Sequence, residues 1–141
     1  MASSRSVARA ARLALGTIWL AEGLFLKVLW AHPDELALVA NSGLWWPTPA
    51  ATLAVVGVLE AALGVVLLVG VKPRLTAAVA GAALVVITTT VVATDPTVLL
   101  LPFSPILKNL ALLACTLAVW HGGTEAHIES SSSLRPPALS A

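Results

Sequence analysis

Charged side chains within long apolar runs are the residues of this sequence that could carry chemistry. Glu22 and Lys27 lie inside the first apolar run, and Glu60 lies near the middle of the second. Lys108 and Asn109 lie at the start of the last run. A charge at the centre of a membrane-crossing helix costs roughly 3 kcal/mol, so it usually faces the interior of a bundle and pairs with another polar group. These residues are therefore candidates for a ligand site or a proton site.

The spacing of Glu22 and Lys27 restricts how these charges can pair. In an α-helix, at 100° per residue, the two side chains point about 140° apart, so we expect each to find its partner on another helix. Glu60 with Lys27 or Lys108 is the expected pair. The residues alone leave two interpretations open: interhelical ion pairs that set which helices meet, or a ligand or proton site near the outer leaflet.

The composition indicates an integral membrane protein. The chain has 141 residues, of which 58% are hydrophobic and 11% are charged, whereas a soluble domain has about 25% charged residues. The basic residues lie between apolar runs and form no patch, so we expect no nucleic-acid partner. The single cysteine, Cys115, excludes an internal disulfide and a CxxC redox pair. The three histidines are too dispersed for a metal or haem site, so we expect no metal.

The pattern of apolar runs and prolines predicts an all-α integral membrane bundle of four transmembrane helices. These helices are expected at about 9–30, 50–71, 75–93 and 106–121, within one transmembrane domain at 9–121. Short interfacial or re-entrant segments are predicted at 33–41 and 96–103, because prolines interrupt both connections. Residues 1–8 are predicted to be a cytoplasmic tail. Residues 122–141 are predicted to be a disordered cytoplasmic tail, because Gly122-Gly123 ends the last apolar run.

The small residues predict where two helices pack closely, and the basic residues predict how the bundle is oriented in the membrane. Gly57, Ala61 and Gly64 follow helical spacing, so we expect them to let a neighbouring backbone approach closely. The basic residues outside the apolar runs all fall on one side of a four-helix topology: Arg5, Arg9, Arg12, Lys72, Arg74 and Arg135. The positive-inside rule then predicts that both termini are cytoplasmic.

Four segments of the chain resemble the DoxX-like membrane proteins over about residues 10–120. They are IWLAEGLFLKVL, HPDELALVANSG, GVLEAALGVVLL and DPTVLLLPFSPILKNLALL. The resemblance implies a four-helix bundle in the bacterial inner (plasma) membrane. The namesake of the family is a subunit linked to a thiosulfate–quinone oxidoreductase. The resemblance also implies polar family positions at Glu22, Gly23, Lys27, Glu60, Asp95, Pro96, Lys108 and Asn109, and it supplies no flavin or metal motif.

We therefore expect an accessory or quinone-interacting subunit of a membrane oxidoreductase system. The ligand-binding candidates are Glu22, Lys27, Glu60, Asp95, Lys108 and Asn109, and no catalytic residue is assigned. No cofactor is expected within the chain itself, a quinone is the candidate ligand, and electrons would come from a redox partner subunit. The lipid bilayer is an expected partner. Whether the chain forms a homo-oligomer and whether it is an enzyme both stay open.

Two alternatives stay open beside that expectation. One is a non-redox bundle that binds or isomerises a lipid or isoprenoid, with Glu22 and Glu60 as paired carboxylates in an apolar cavity. The other is a purely structural assembly factor.

Overall fold

The computed structural model describes residues 4–100 and 105–133, and every regular element within them is helical. In chain order these elements are α1 (Ser4–Ala21), a π-helical segment that continues it (Glu22–Leu29), α2 (Pro33–Ser42), α3 (Pro49–Val69), α4 (Pro73–Thr94), a 3₁₀ turn (Pro96–Leu100) and α5 (Pro105–Ser133). The predicted all-α fold is confirmed for this part of the chain.

The helix boundaries follow local sequence chemistry. Four helices begin at a proline: Pro33, Pro49, Pro73 and Pro105. Proline suits a first helical position because its fixed φ is already helical and its missing N–H would have had no partner there. Thr48 caps α3, since its hydroxyl oxygen accepts from the Ala51 N–H at 3.2 Å. Gly70 ends α3 at a φ of 83°, a left-handed conformation that costs glycine little.

Parts of both predicted tails are helical in the structure. Helix α1 already begins at Ser4, and α5 continues through Gly122 and Gly123 to Ser133. Gly122 and Gly123 do not end the helix, because a glycine inside a helix costs only about 1 kcal/mol relative to alanine. Residues 134–141 lie outside the described residues, as do 101–103 of the predicted 96–103 segment.

Length and composition support two or three membrane spans in the described residues. Helices α3 and α4 are each long and apolar enough to cross a membrane. Residues Arg5–Leu29 qualify together with α2, which is bent away from them by 84°. The apolar part of α5, Ile106–Gly122, is shorter. Length and composition alone therefore do not confirm the predicted four transmembrane helices.

The first helix occupies the centre of the bundle. Together, α1 and the π-helical segment pack against α3 on one side and α5 on the other, while α4 packs mainly against α5. The buried core cluster draws on α1, α3, α4 and α5 and consists of Leu15, Trp19, Leu67, Ala80, Leu84 and Leu112. Large apolar side chains elsewhere on α3 and α4, such as Leu59 and Val86, are 64% exposed. Exposed apolar helix faces of this kind suit contact with lipid.

Glycines bring the first helix and α3 into backbone contact. A Cβ added to Gly23 would lie 2.5 Å from the Gly57 carbonyl oxygen, and a Cβ added to Gly64 would lie 2.8 Å from that of Gly16. No side chain fits at these positions, so the two helices cross at glycines. This agrees with the small-residue face predicted for Gly57 and Gly64.

Arg12, in α1, contacts the C-terminal end of α3. Its guanidinium donates to the backbone carbonyls of Leu67 and Leu68. These are among the last carbonyls of α3, which lack helical partners and carry the negative end of the helix dipole. The contact places Arg12 at the same end of the bundle as the basic turn at Lys72.

Candidate functional site

Lys27 and Glu60 form a buried ion pair in the interior of the bundle. Lys27 Nζ lies 2.8 Å from Glu60 Oε2, and the two residues are 8% and 5% exposed. The glycine crossing described above determines this geometry, since a Cβ on Gly57 would lie 2.6 Å from Lys27 Cβ. With α3 this close, Lys27 reaches the carboxylate one helical turn further along α3. The expected meeting of Lys27 with Glu60 is confirmed.

The π-helical segment changes the expected orientation of Glu22. In a π-helix, residue i bonds to residue i+5 rather than i+4, as in the bond from the Trp30 N–H to the Phe25 carbonyl at 2.9 Å. Glu22 and Lys27 are five residues apart, so they lie one turn apart on nearly the same side of the helix. The separation of about 140°, which assumed 100° per residue, is therefore wrong here. The expectation that each finds its partner on another helix still holds.

Glu22 pairs with Lys108 of α5. Lys108 Nζ lies 2.5 Å from Glu22 Oε1, and the side chains are 45% and 27% exposed. Next to them, the Asn109 amide donates to the Thr88 hydroxyl of α4 at 2.8 Å. The first helix therefore forms one ion pair with α3 and another with α5, and Asn109 links α5 to α4.

Glu35 is a third carboxylate of this cluster that the sequence analysis did not identify. Helix α2 folds back after Leu29, and Glu35 in its first turn comes within 3.7 Å of Lys27 Nζ. Its side chain is 35% exposed, so it links the buried pair to the surface. The signal in the sequence was the position of Glu35 near the start of the short segment predicted at 33–41, directly after the first apolar run.

Two adjoining cavities meet at the Lys27–Glu60 pair. The wide cavity, of about 180 Å³, lies among α2, α3 and α4. The narrow cavity, of about 80 Å³, lies between the first helix, α4 and α5. The residues that line both are Lys27, Glu35, Leu38, Glu60, Ile87 and Val91. An open cleft, the entrance cleft, lies at the α2 end of the bundle and shares Glu35 and Leu38 with both cavities.

Asp95 lies away from this cluster. It lines the entrance cleft, where its Oδ1 accepts from the Thr97 hydroxyl at 2.6 Å and from the Thr97 N–H at 3.0 Å. These hydrogen bonds, the hydroxyl first, lower the pKa of the Asp95 carboxyl. The structure thus brings Glu22, Lys27, Glu60, Lys108 and Asn109 to one cavity and leaves Asp95 at the mouth.

The arrangement suits an amphipathic ligand with a polar end. The wide cavity has largely apolar walls, including Leu53 and Val56, and ends at the Lys27–Glu60 pair. Lys27 has three N–H donors, so it can bind an acceptor atom while it keeps Glu60 as a partner. Interior charges of this kind are the usual mark of ligand or proton sites in membrane bundles.

Trp19 is the other residue whose role the sequence did not reveal. It lies in the core cluster at 5% exposure, as a residue of that type at mid-helix would be expected to do. Trp19 is one of the residues that line the narrow cavity, and its buried Nε1–H has no hydrogen-bond partner among the described residues. Sequence patterns carry no signal for an unpaired donor, since pairing depends on the neighbours that the fold supplies.

One comparison with known proteins identifies relatives of this chain. A family model described as the DoxX-like family matches residues 16–117. The match covers most of the chain and includes both ion pairs and the residues that line the two cavities. No curated protein and no solved structure matches the chain.

Proposed function

The chain belongs to the DoxX-like family, and we propose that it binds the ring of a quinone within the bundle, as an accessory subunit of a membrane oxidoreductase system. The observation that carries this proposal is the buried Lys27–Glu60 pair at the junction of two cavities. The chain is a membrane protein, and a quinone is a lipid-soluble molecule whose carbonyl oxygens accept hydrogen bonds.

We further propose that four helices cross the bacterial inner membrane, with both termini in the cytoplasm. The contact of Arg12 with the end of α3 supports this orientation, because it gathers basic residues at one end of the bundle. Trp30 and Trp46 lie near the other end and are 72% and 85% exposed, which suits the aromatic belt of the opposite membrane interface. The short apolar part of α5 would span with the help of the preceding 3₁₀ turn.

The wide cavity fits one ring of a quinone, and the adjoining narrow cavity leaves space for the edge of a second, fused ring. An apolar protein cavity of roughly 150 Å³ takes up benzene, and the wide cavity has about 180 Å³. A ring held there would direct a carbonyl oxygen toward the Lys27 ammonium, which would donate to it. Glu35 at the entrance cleft would keep the charged end of the site in contact with water. Electrons would come from a partner subunit, since the role of this chain is to bind and orient the quinone.

A binding measurement on the full chain tests the proposal. The purified protein in lipid nanodiscs is dialysed against menadione, and bound and free quinone are measured. Val56→Phe narrows the wide cavity while both charged residues of the ion pair are kept, and we expect it to weaken binding by tenfold or more. Val58→Phe, the same change on the exposed side of α3, is the matched control and should bind as the wild type does.

The result that would overturn the proposal is an absence of saturable menadione binding, or equal binding by both variants. Recovery of a tightly bound lipid from the purified protein, identified by mass spectrometry, would instead support the lipid-binding alternative. For the accessory role, affinity capture from native membranes should recover a redox subunit.

A further inference from the structure

Trp19 presents a buried donor without an acceptor. The residue is 5% exposed within the core cluster, and its Nε1–H has no hydrogen-bond partner among the described residues. Buried polar groups in folded proteins are nearly always paired, so an unpaired buried donor calls for a specific explanation. An indole N–H can only donate, so what it lacks is an acceptor atom.

Trp19 lines the narrow cavity, which also has several charged side chains in its wall. Besides Trp19, it is lined by Glu22, Lys27, Glu60, Lys108 and Asn109. Glu60 and Glu22 each bind a lysine through one carboxylate oxygen, and no acceptor atom of the described residues forms a hydrogen bond with the indole N–H. An acceptor for the indole would therefore come from a molecule that enters the cavity.

We propose that the Trp19 indole N–H donates to a carbonyl oxygen of an uncharged ring ligand that reaches from the wide cavity into the narrow one. Trp19 is then a specificity-determining residue of the site, and this inference rests on the proposed function. The two cavities adjoin at Lys27 and Glu60, and the proposal places one ligand across that boundary. The volume of about 80 Å³ admits a ring edge with its oxygen but is too small for a second ring system.

The charges around the narrow cavity favour a neutral ligand over an anion. Glu22, Glu35 and Glu60 face Lys27 and Lys108 across it, so three carboxylates are set against two ammonium groups. An anionic head group would add a further negative charge to a site that already has a negative excess. A neutral carbonyl oxygen can accept a hydrogen bond from the unpaired indole N–H and leave both ion pairs intact.

Two naphthoquinones of nearly equal size distinguish a neutral ligand from an anionic one. Menadione is neutral, whereas 2-hydroxy-1,4-naphthoquinone is an anion at neutral pH. The full chain, labelled with ¹⁵N at the indoles and held in nanodiscs, should give one N–H signal for each of its five tryptophans. Trp19→Phe removes one signal and assigns it; if that variant fails to fold, Phe substitution at the other four assigns the fifth by elimination.

We expect menadione to shift the Trp19 signal and to bind at least tenfold more tightly than the anion. Trp19→Phe should weaken menadione binding about tenfold, while Trp46→Phe, at an 85% exposed indole, should leave it unchanged. If menadione binds the wild type and Trp19→Phe equally and leaves the Trp19 signal in place, the inference is overturned and the proposed function survives. If menadione does not bind the wild type, the proposed function fails, and the inference fails with it.

Discussion

Replacing Lys27 by methionine should destabilise the bundle more than replacing Glu60 by glutamine. The two side chains are 9% and 6% exposed and 2.8 Å apart. Lys27→Met keeps the length of the side chain and leaves Glu60 buried without a cation. Glu60→Gln keeps the shape and a carbonyl acceptor, and Lys27 retains Glu35 at 3.7 Å.

The size of each effect follows from what is left behind. Removal of one partner of a buried ion pair costs about 3–5 kcal/mol, because the other charge remains uncompensated. We therefore expect about 3 kcal/mol for Lys27→Met. For Glu60→Gln we expect about 1–2 kcal/mol, which corresponds to a weakened hydrogen bond to a cation that still has one carboxylate partner. The double variant Lys27→Met with Glu60→Met removes both charges and should be more stable than Lys27→Met alone.

The free energy of unfolding, measured by titrating a denaturing detergent into mixed micelles, checks these values. Lys72→Met is the control, because this exposed lysine lies in the turn before α4 and should change stability by less than about 0.5 kcal/mol. The reasoning is wrong if Glu60→Gln costs more than Lys27→Met, or if the double variant loses the sum of the two single losses. Either result would mean that the pair does not hold the buried charges as the structure shows.

Two further predictions concern the helix crossing and the loop that follows α4. Gly57→Ala should cost about 2 kcal/mol, because its Cβ would lie 2.6 Å from Lys27 Cβ; Gly81→Ala, with its nearest contact at 3.1 Å, should cost less in the same assay, and equal losses would contradict the close crossing. Asp95→Asn should lower stability at neutral pH and make no difference in acid. The hydrogen bonds from Thr97 lower the folded-state pKa of Asp95, so their contribution is present above the unfolded pKa of about 3.9 and is lost as the pH falls through the folded pKa. Thermal unfolding from pH 7 to about pH 2 measures this, and a wild-type advantage that does not shrink below about pH 4 would argue against it.

Several features of the fold were predictable from the sequence because they depend on neighbouring residues alone. The low charge content indicated a membrane protein, and His32-Pro33 marked the break before α2. Helical spacing placed Gly57 and Gly64 on one face, which the structure uses for the crossing. The need of Lys27 for a partner on another helix followed from the cost of burying a lone charge.

The candidate site depended on relations between distant segments, which only the tertiary structure could decide. Which carboxylate meets which lysine depends on the depth and rotation of separate helices, so the pairing of Glu22 with Lys108 stayed open until the π-helical segment was seen. Glu35 joined the cluster because α2 folds back, and the Trp19 N–H proved unpaired because no neighbouring helix offers it an acceptor among the described residues. The sequence by itself determined which residues are too polar to face lipid. The packing of the helices decided which of them meet, because that choice is made by contacts between segments far apart in the chain.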